Sequence, residues 1–119
     1  MNRIIHKTKF YSFTITNNNK TYSLINSCYN ISESTCFISK FYINKDFRKT
    51  NLGKVIFQNH ENFILDYHPE IKYFRLNALN FNHSYKLVNY YSNFGYKQDL
   101  NHLFDINIGE IIPMIKIIK

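Results

Sequence analysis

The spacing of apolar residues first changes between Ile43 and Leu52, and the change falls on a segment dense in cations. Before it, the pattern is that of strands. Lys7 to Thr16 is rich in aromatic and β-branched residues, which fit a pleated surface. Thr21 to Tyr29 and Thr35 to Ile43 read the same way. Asn17-Asn18-Asn19 separates the first pair, because Asn tolerates a left-handed backbone. Asn30 to Ser34 separates the second. Three strands joined by short polar turns imply an antiparallel meander.

After the break the period becomes helical. Leu52, Val55, Ile56, Phe63, Ile64 and Tyr67 fall on one predicted helix face, and Pro69 stops the helix. Lys72 to Leu79 reads as a strand. Ser84, Leu87, Val88, Tyr91 and Phe94 form a second helical stripe, with Gly95 as its stop. Leu103 to Ile108 and Ile111 to Ile118 are further strand candidates. The predicted order is β-β-β-α-β-α-β-β: an α/β (α+β) layer fold with a mixed, mostly antiparallel sheet and two main helices. At 119 residues the chain forms one domain, 1–119, with room for a core of its own.

Composition narrows the partners. The formal net charge of +7 suits a polyanion: nucleic acid, an anionic membrane or a phosphorylated cofactor. Abundant Lys, Asn, Ile, Tyr and Phe, with alanine only at Ala78, also track AT-rich codons, which would give the charge without a function. The apolar tail, Ile111 to Ile118, is too short to span a bilayer, and the start is not a signal peptide. A cytoplasmic protein with no membrane partner is expected. Cys28 and Cys36 should then be reduced, although a hairpin could bring them opposite each other. The histidines show no metal-ligand spacing, so no metal is expected, and His60 reads as a satisfied core or interface residue.

The chemistry concentrates in Phe41 to Lys54, FYINKDFRKTNLGK. An apolar strand runs through a cationic loop straight into a helix. A helix start presents unpaired N–H groups and the positive end of a dipole, and phosphates bind there when the backbone can come close. Gly53 has no Cβ to prevent that approach. This segment resembles the coenzyme A loop of the GNAT acetyltransferases, an aliphatic triplet followed by Arg/Gln-x-x-Gly-x-Gly/Ala. Phe41-Tyr42-Ile43 stands at the triplet and Arg48-Lys49-Thr50-Asn51-Leu52-Gly53 at the loop, with Asn51 in place of the first glycine. The family's late helix ends Tyr-x-x-x-Gly-Phe, and Tyr91-Ser92-Asn93-Phe94-Gly95-Tyr96 is similar. The resemblance covers about residues 35 to 98.

It implies an acetyl-CoA-dependent N-acetyltransferase in which an amine attacks the thioester directly. The backbone of Phe41, Tyr42 and Ile43 would hold the pantetheine arm, and Lys49, Thr50, Asn51, Leu52, Gly53 and Lys54 the pyrophosphate. Arg48 would support the loop or the phosphates, and Asn82 and Ser84 could bond the cofactor. Tyr91 matches the tyrosine that protonates the leaving thiolate; by spacing alone it is a core tyrosine beside Leu87 and Val88. The amine acceptor, small molecule or protein, is not specified. No general base stands out among Glu33, Ser39, Glu70, Asn77 and Asn80, and Phe37 stands where some relatives carry a glutamate. Family members usually begin with a strand and two helices that wall the acceptor site, and here only a few residues precede the first expected strand, at Lys7. A homodimer partner could supply that wall, the acceptor could be a macromolecule, or transfer could be lost. The alternatives are therefore a degenerate domain that binds coenzyme A or a protein partner without turnover, and, last, a basic nucleic-acid-binding domain.

Overall fold

A computed structural model describes residues 8–48, 51–79, 85–99 and 111–118, without the side chains of Asn17 and Phe47. The elements run β1 (Thr8–Asn17), β2 (Lys20–Asn30), β3 (Thr35–Ile43), a 3-10 turn (Lys45–Phe47), α1 (Leu52–Tyr67), β4 (Tyr73–Leu79), α2 (Lys86–Ser92), β5 (Lys97–Gln98) and β6 (Ile111–Ile117). They form one six-stranded sheet in the order β1-β2-β3-β4-β6-β5. Among the described strands, only β3 and β4 pair in parallel, with α1 as their crossover.

Local chemistry explains the connections. Asn18 and Asn19 both adopt positive φ, 51° and 64°, as a two-residue hairpin loop with the right twist requires. Gly95, at φ 95°, ends α2, and the Tyr96 N–H reaches back to the Tyr91 carbonyl at 3.2 Å. The expected strand at Leu103 to Ile108 lies outside the described residues. The two-residue β5 was not foreseen; it pairs with β6 through Lys97 and Gln98.

In β2, Ser23, Ile25, Ser27 and Tyr29 are buried in strict alternation. With Cys36, Ile38, Phe74, Leu76 and Ala78 they build one face of the sheet, and both helices pack there. Phe57 of α1 is the hub. It is fully buried, stacks on Phe94 at 4.9 Å, and meets Phe41 and Tyr91 at 5.2 and 5.7 Å.

The buried face of α1 is only partly the predicted one: Ile64 and His60 are buried and Ile56 is half-buried as read, but the rest of the face is turned. Gly53, Phe57, His60, Glu61 and Ile64 are buried, whereas Leu52, Val55, Phe63 and Tyr67 are 38–65% exposed. The reason is pairing across long sequence distances. His60 Nε2 meets Ser27 Oγ at 2.9 Å. Glu61 accepts from Tyr96 at 2.7 Å and from Lys116 at 3.0 Å. Polar groups so bonded can be buried without the full cost of desolvation. The far end of α1 is tied down by His68, which bonds Tyr11 at 2.6 Å, and by Glu70, which accepts from Tyr29.

Cys28 pairs with Phe37, and Cys36 with Tyr29, so the two thiols are one rung apart and point to opposite faces. Both are free, and burial pushes the Cys36 thiol up to about 12, which leaves it unreactive.

Candidate active site

The parallel pairing of β3 with β4 covers only Thr35–Ile38 against Tyr73–Leu76. Beyond those rungs the two strands part. A register shift in the β2–β3 pairing falls in the same place, between Asn26 and Ser27, and leaves Ser39 as the extra residue. The Ser39 hydroxyl donates to the Asn26 carbonyl at 3.2 Å. The separated end of β3 carries Phe41, Tyr42 and Ile43, the residues assigned from sequence to the pantetheine arm.

The loop that follows is built by short polar bonds. Asn44 Oδ1 accepts from the Asp46 N–H at 2.9 Å and opens the 3-10 turn. Arg48 Nε donates to the Ile43 carbonyl at 2.8 Å, and its guanidinium lies 5.7 Å from the Tyr42 ring centre. Arg48 therefore braces the end of β3. Asn51 precedes α1 at φ −77°, an ordinary right-handed value, so its position does not use the left-handed tolerance of Asn. Leu52 and Lys54 are exposed on the first turn of α1, and Gly53 is buried. Lys49, Thr50, Asn82 and Ser84 lie outside the described residues.

Between the end of β3 and the two helices is a hollow of about 460 Å³. It is lined by Phe41, Tyr42, Ile43, Arg48, Gly53, Leu87, Tyr90 and Tyr91. Six of these were singled out from sequence; Leu87 was read as a stripe residue only, and Tyr90 was missed. The signal for Tyr90 was its place beside Tyr91 on a short helix that touches the hollow along its side. Its ring lies nearly parallel to that of Phe41 at 6.5 Å. Burial, and then the neighbouring Tyr90, push the Tyr91 phenol up to about 12; burial also raises Tyr90. Both phenols thus keep their protons throughout the neutral range.

Among the described residues, no carboxylate or imidazole lines this hollow. Of the side chains considered as bases, Ser39 and Asn77 flank the point where the strands part. Glu33 and Glu70 sit at the opposite end of the sheet, before β3 and β4 begin. Asn80 lies outside the described residues.

The family signature described as an acetyltransferase (GNAT) domain matches residues 1–118. The chain belongs to the GNAT family. No curated protein matches it. Among solved structures, an acetyltransferase from Bacillus cereus ATCC 14579 superposes with a TM-score of 0.68 at 13% identity, over 93% of this chain and 74% of that one. PaiA N-acetyltransferase from Thermoplasma acidophilum, solved in complex with coenzyme A, gives 0.67 at 17%, over 92% and 61%. The ribosomal-protein-S18-alanine N-acetyltransferase from Escherichia coli gives 0.65 at 12%, over 92% and 70%. Against these three, this GNAT chain spans 61–74% of the neighbour's length. At such identities the likeness establishes the fold. No described helix is long and apolar enough to cross a membrane.

Proposed function

We propose that this GNAT domain binds acetyl-CoA where β3 and β4 part and transfers the acetyl group to an amine. The observation that carries this reading is the hollow itself, which joins the end of β3, the start of α1 and the side of α2 in one place. Its contents suit the ligand. Apolar walls fit a pantetheine arm, and strand edges beyond the last rung offer free N–H and C=O groups to its amides. Arg48 stands at the loop, where pyrophosphate would meet the first turn of α1.

In this reading the amine nitrogen attacks the thioester carbonyl, the C–S bond breaks, and the sulfur leaves with the bonding electrons. Tyr91 donates a proton, or a strong hydrogen bond, to that sulfur. A phenol raised to about 12 holds its proton more firmly than an ordinary tyrosine, so it is always loaded as a donor. The amine proton leaves to water, since none of the described residues lining the hollow is a base. Candidate acceptors are amines on small molecules or proteins. Release of free coenzyme A from acetyl-CoA, assayed with and without a panel of amines, tests the reading. Amine-dependent release supports it, and binding without release would favour a domain that has kept the site and lost turnover.

A further inference from the structure

Tyrosines packed on the core bond a side chain elsewhere in this fold: Tyr11 meets His68, Tyr29 donates to Glu70, and Tyr96 donates to Glu61. Tyr90 and Tyr91, the two that line the hollow beside α2, bond nothing through their hydroxyls among the described residues. Phenol hydroxyls drawn away from bulk water usually find a partner. Tyr91 has one in the proposed reaction, the leaving sulfur. Tyr90 is left over.

Its hydroxyl is within reach of a ligand. The sealed, unbonded polar side-chain atoms among the described residues are Asn26 Oδ1, His60 Nδ1 and Arg75 Nε, and the Tyr90 oxygen is not one of them. The ring lies nearly parallel to Phe41 at 6.5 Å and edge to face with Phe94 and Tyr91 at 4.9 and 5.4 Å. That packing directs the oxygen. It occupies the space that a side chain on Gly53 would fill, against the first turn of α1. Ile43, whose carbonyl Arg48 holds, borders the same space at 3.6 Å. A phenol from α2, the Arg48 guanidinium and the start of α1 thus meet around Ile43 and Gly53. The first N–H groups of a helix have no partner within it, and Asn51 supplies no side-chain cap here. Burial raises the Tyr90 phenol, so it keeps its proton and acts as a donor. Donors gathered in this way suit an anion rather than a carbonyl.

We propose that the Tyr90 hydroxyl donates a hydrogen bond to the pyrophosphate of coenzyme A, a contact that α2 adds to those of the loop. The proposal rests on the acetyl-CoA reading of the hollow and divides the work of two adjacent tyrosines: Tyr91 serves the sulfur and Tyr90 the phosphates.

The test is calorimetric titration of the wild type, Tyr90→Phe and Tyr91→Phe with coenzyme A, followed by phosphorus NMR of the bound ligand. Phenylalanine keeps the ring packing and removes only the hydroxyl. Tyr90→Phe is expected to bind about 10-fold more weakly, the size of a hydrogen bond to a charged acceptor, while Tyr91→Phe binds as the wild type does. The pyrophosphate signals of bound coenzyme A should differ between the wild type and Tyr90→Phe, and the signal of the ribose phosphate should not. Without ligand, Tyr90→Phe should be no less stable to denaturant than the wild type, because its hydroxyl bonds no described residue. Unchanged affinity in Tyr90→Phe, unchanged pyrophosphate signals, or a weakened affinity accompanied by an equal loss of unliganded stability would each overturn the proposal. Absence of binding to the wild type would overturn the acetyl-CoA reading itself, and the proposal with it.

Discussion

The Tyr90 hydroxyl lies 2.8 Å from where a side-chain carbon on Gly53 would stand. From sequence, Gly53 reads as the residue that lets phosphate approach the backbone. The fold gives it a second reason to be glycine: the first turn of α1 is pressed against α2 through this tyrosine. Alanine in a helix normally gains up to about 1 kcal/mol over glycine. Here the collision with Tyr90 offsets that gain. Gly53→Ala is therefore expected to be neutral or destabilising alone and stabilising by about 0.5–1 kcal/mol on a Tyr90→Phe background. Denaturant unfolding of the two single variants and the double variant measures the coupling. Additive effects would mean that the two residues do not meet.

Tyr91 and Tyr90 line the same hollow but hold different places in it, and their variants should separate. Tyr91→Phe is expected to leave coenzyme A affinity nearly unchanged and to slow transfer by about 10²- to 10⁴-fold, the usual range for a lost general acid. Because burial raises the phenol to about 12, the wild-type rate should show no tyrosine ionisation between pH 7 and 10. Single-turnover rates across that range check both statements. An unchanged rate in Tyr91→Phe would remove it from the chemistry and turn attention to Tyr90.

His60 makes the fold sensitive to acid. Its folded-state value of about 4 lies below the ordinary 6.5, so the unfolded chain binds the proton more readily. The stability associated with neutral His60 is fully present above pH 6.5 and is lost as pH falls toward 4. The loss is about 3 kcal/mol for a shift of this size. Unfolding free energies at pH 7 and pH 4 should fall further in the wild type than in His60→Gln by roughly that amount. Equal losses would show that His60 is not held neutral by burial.

Most of the architecture was legible in the chain because it rests on local rules. The first three strands, α1 from Leu52 to Tyr67 and the stop at Gly95 follow from β-branched runs, helical spacing and backbone freedom. What was not legible depends on partners distant in sequence. The buried face of α1 is set by His60, whose burial was readable but not its Ser27 partner, and by Glu61 with Tyr96 and Lys116, which hydrophobic spacing weights the wrong way. β5 is two residues long and leaves no pattern to read. At the site, the triplet, Arg48, Gly53 and Tyr91 were readable through the GNAT resemblance. Tyr90 was hidden because adjacent positions on a helix normally point about 100° apart, and only the sideways docking of α2 brings both tyrosines to one hollow.

The central claim is that the parting of β3 from β4 is a coenzyme A site. Calorimetric titration of the protein with acetyl-CoA and with coenzyme A tests it most directly. The account predicts micromolar binding of both ligands, weakened in Arg48→Ala because that side chain braces the Ile43 carbonyl beside the proposed phosphate loop. No heat at millimolar ligand, from a protein shown to be folded, would contradict it.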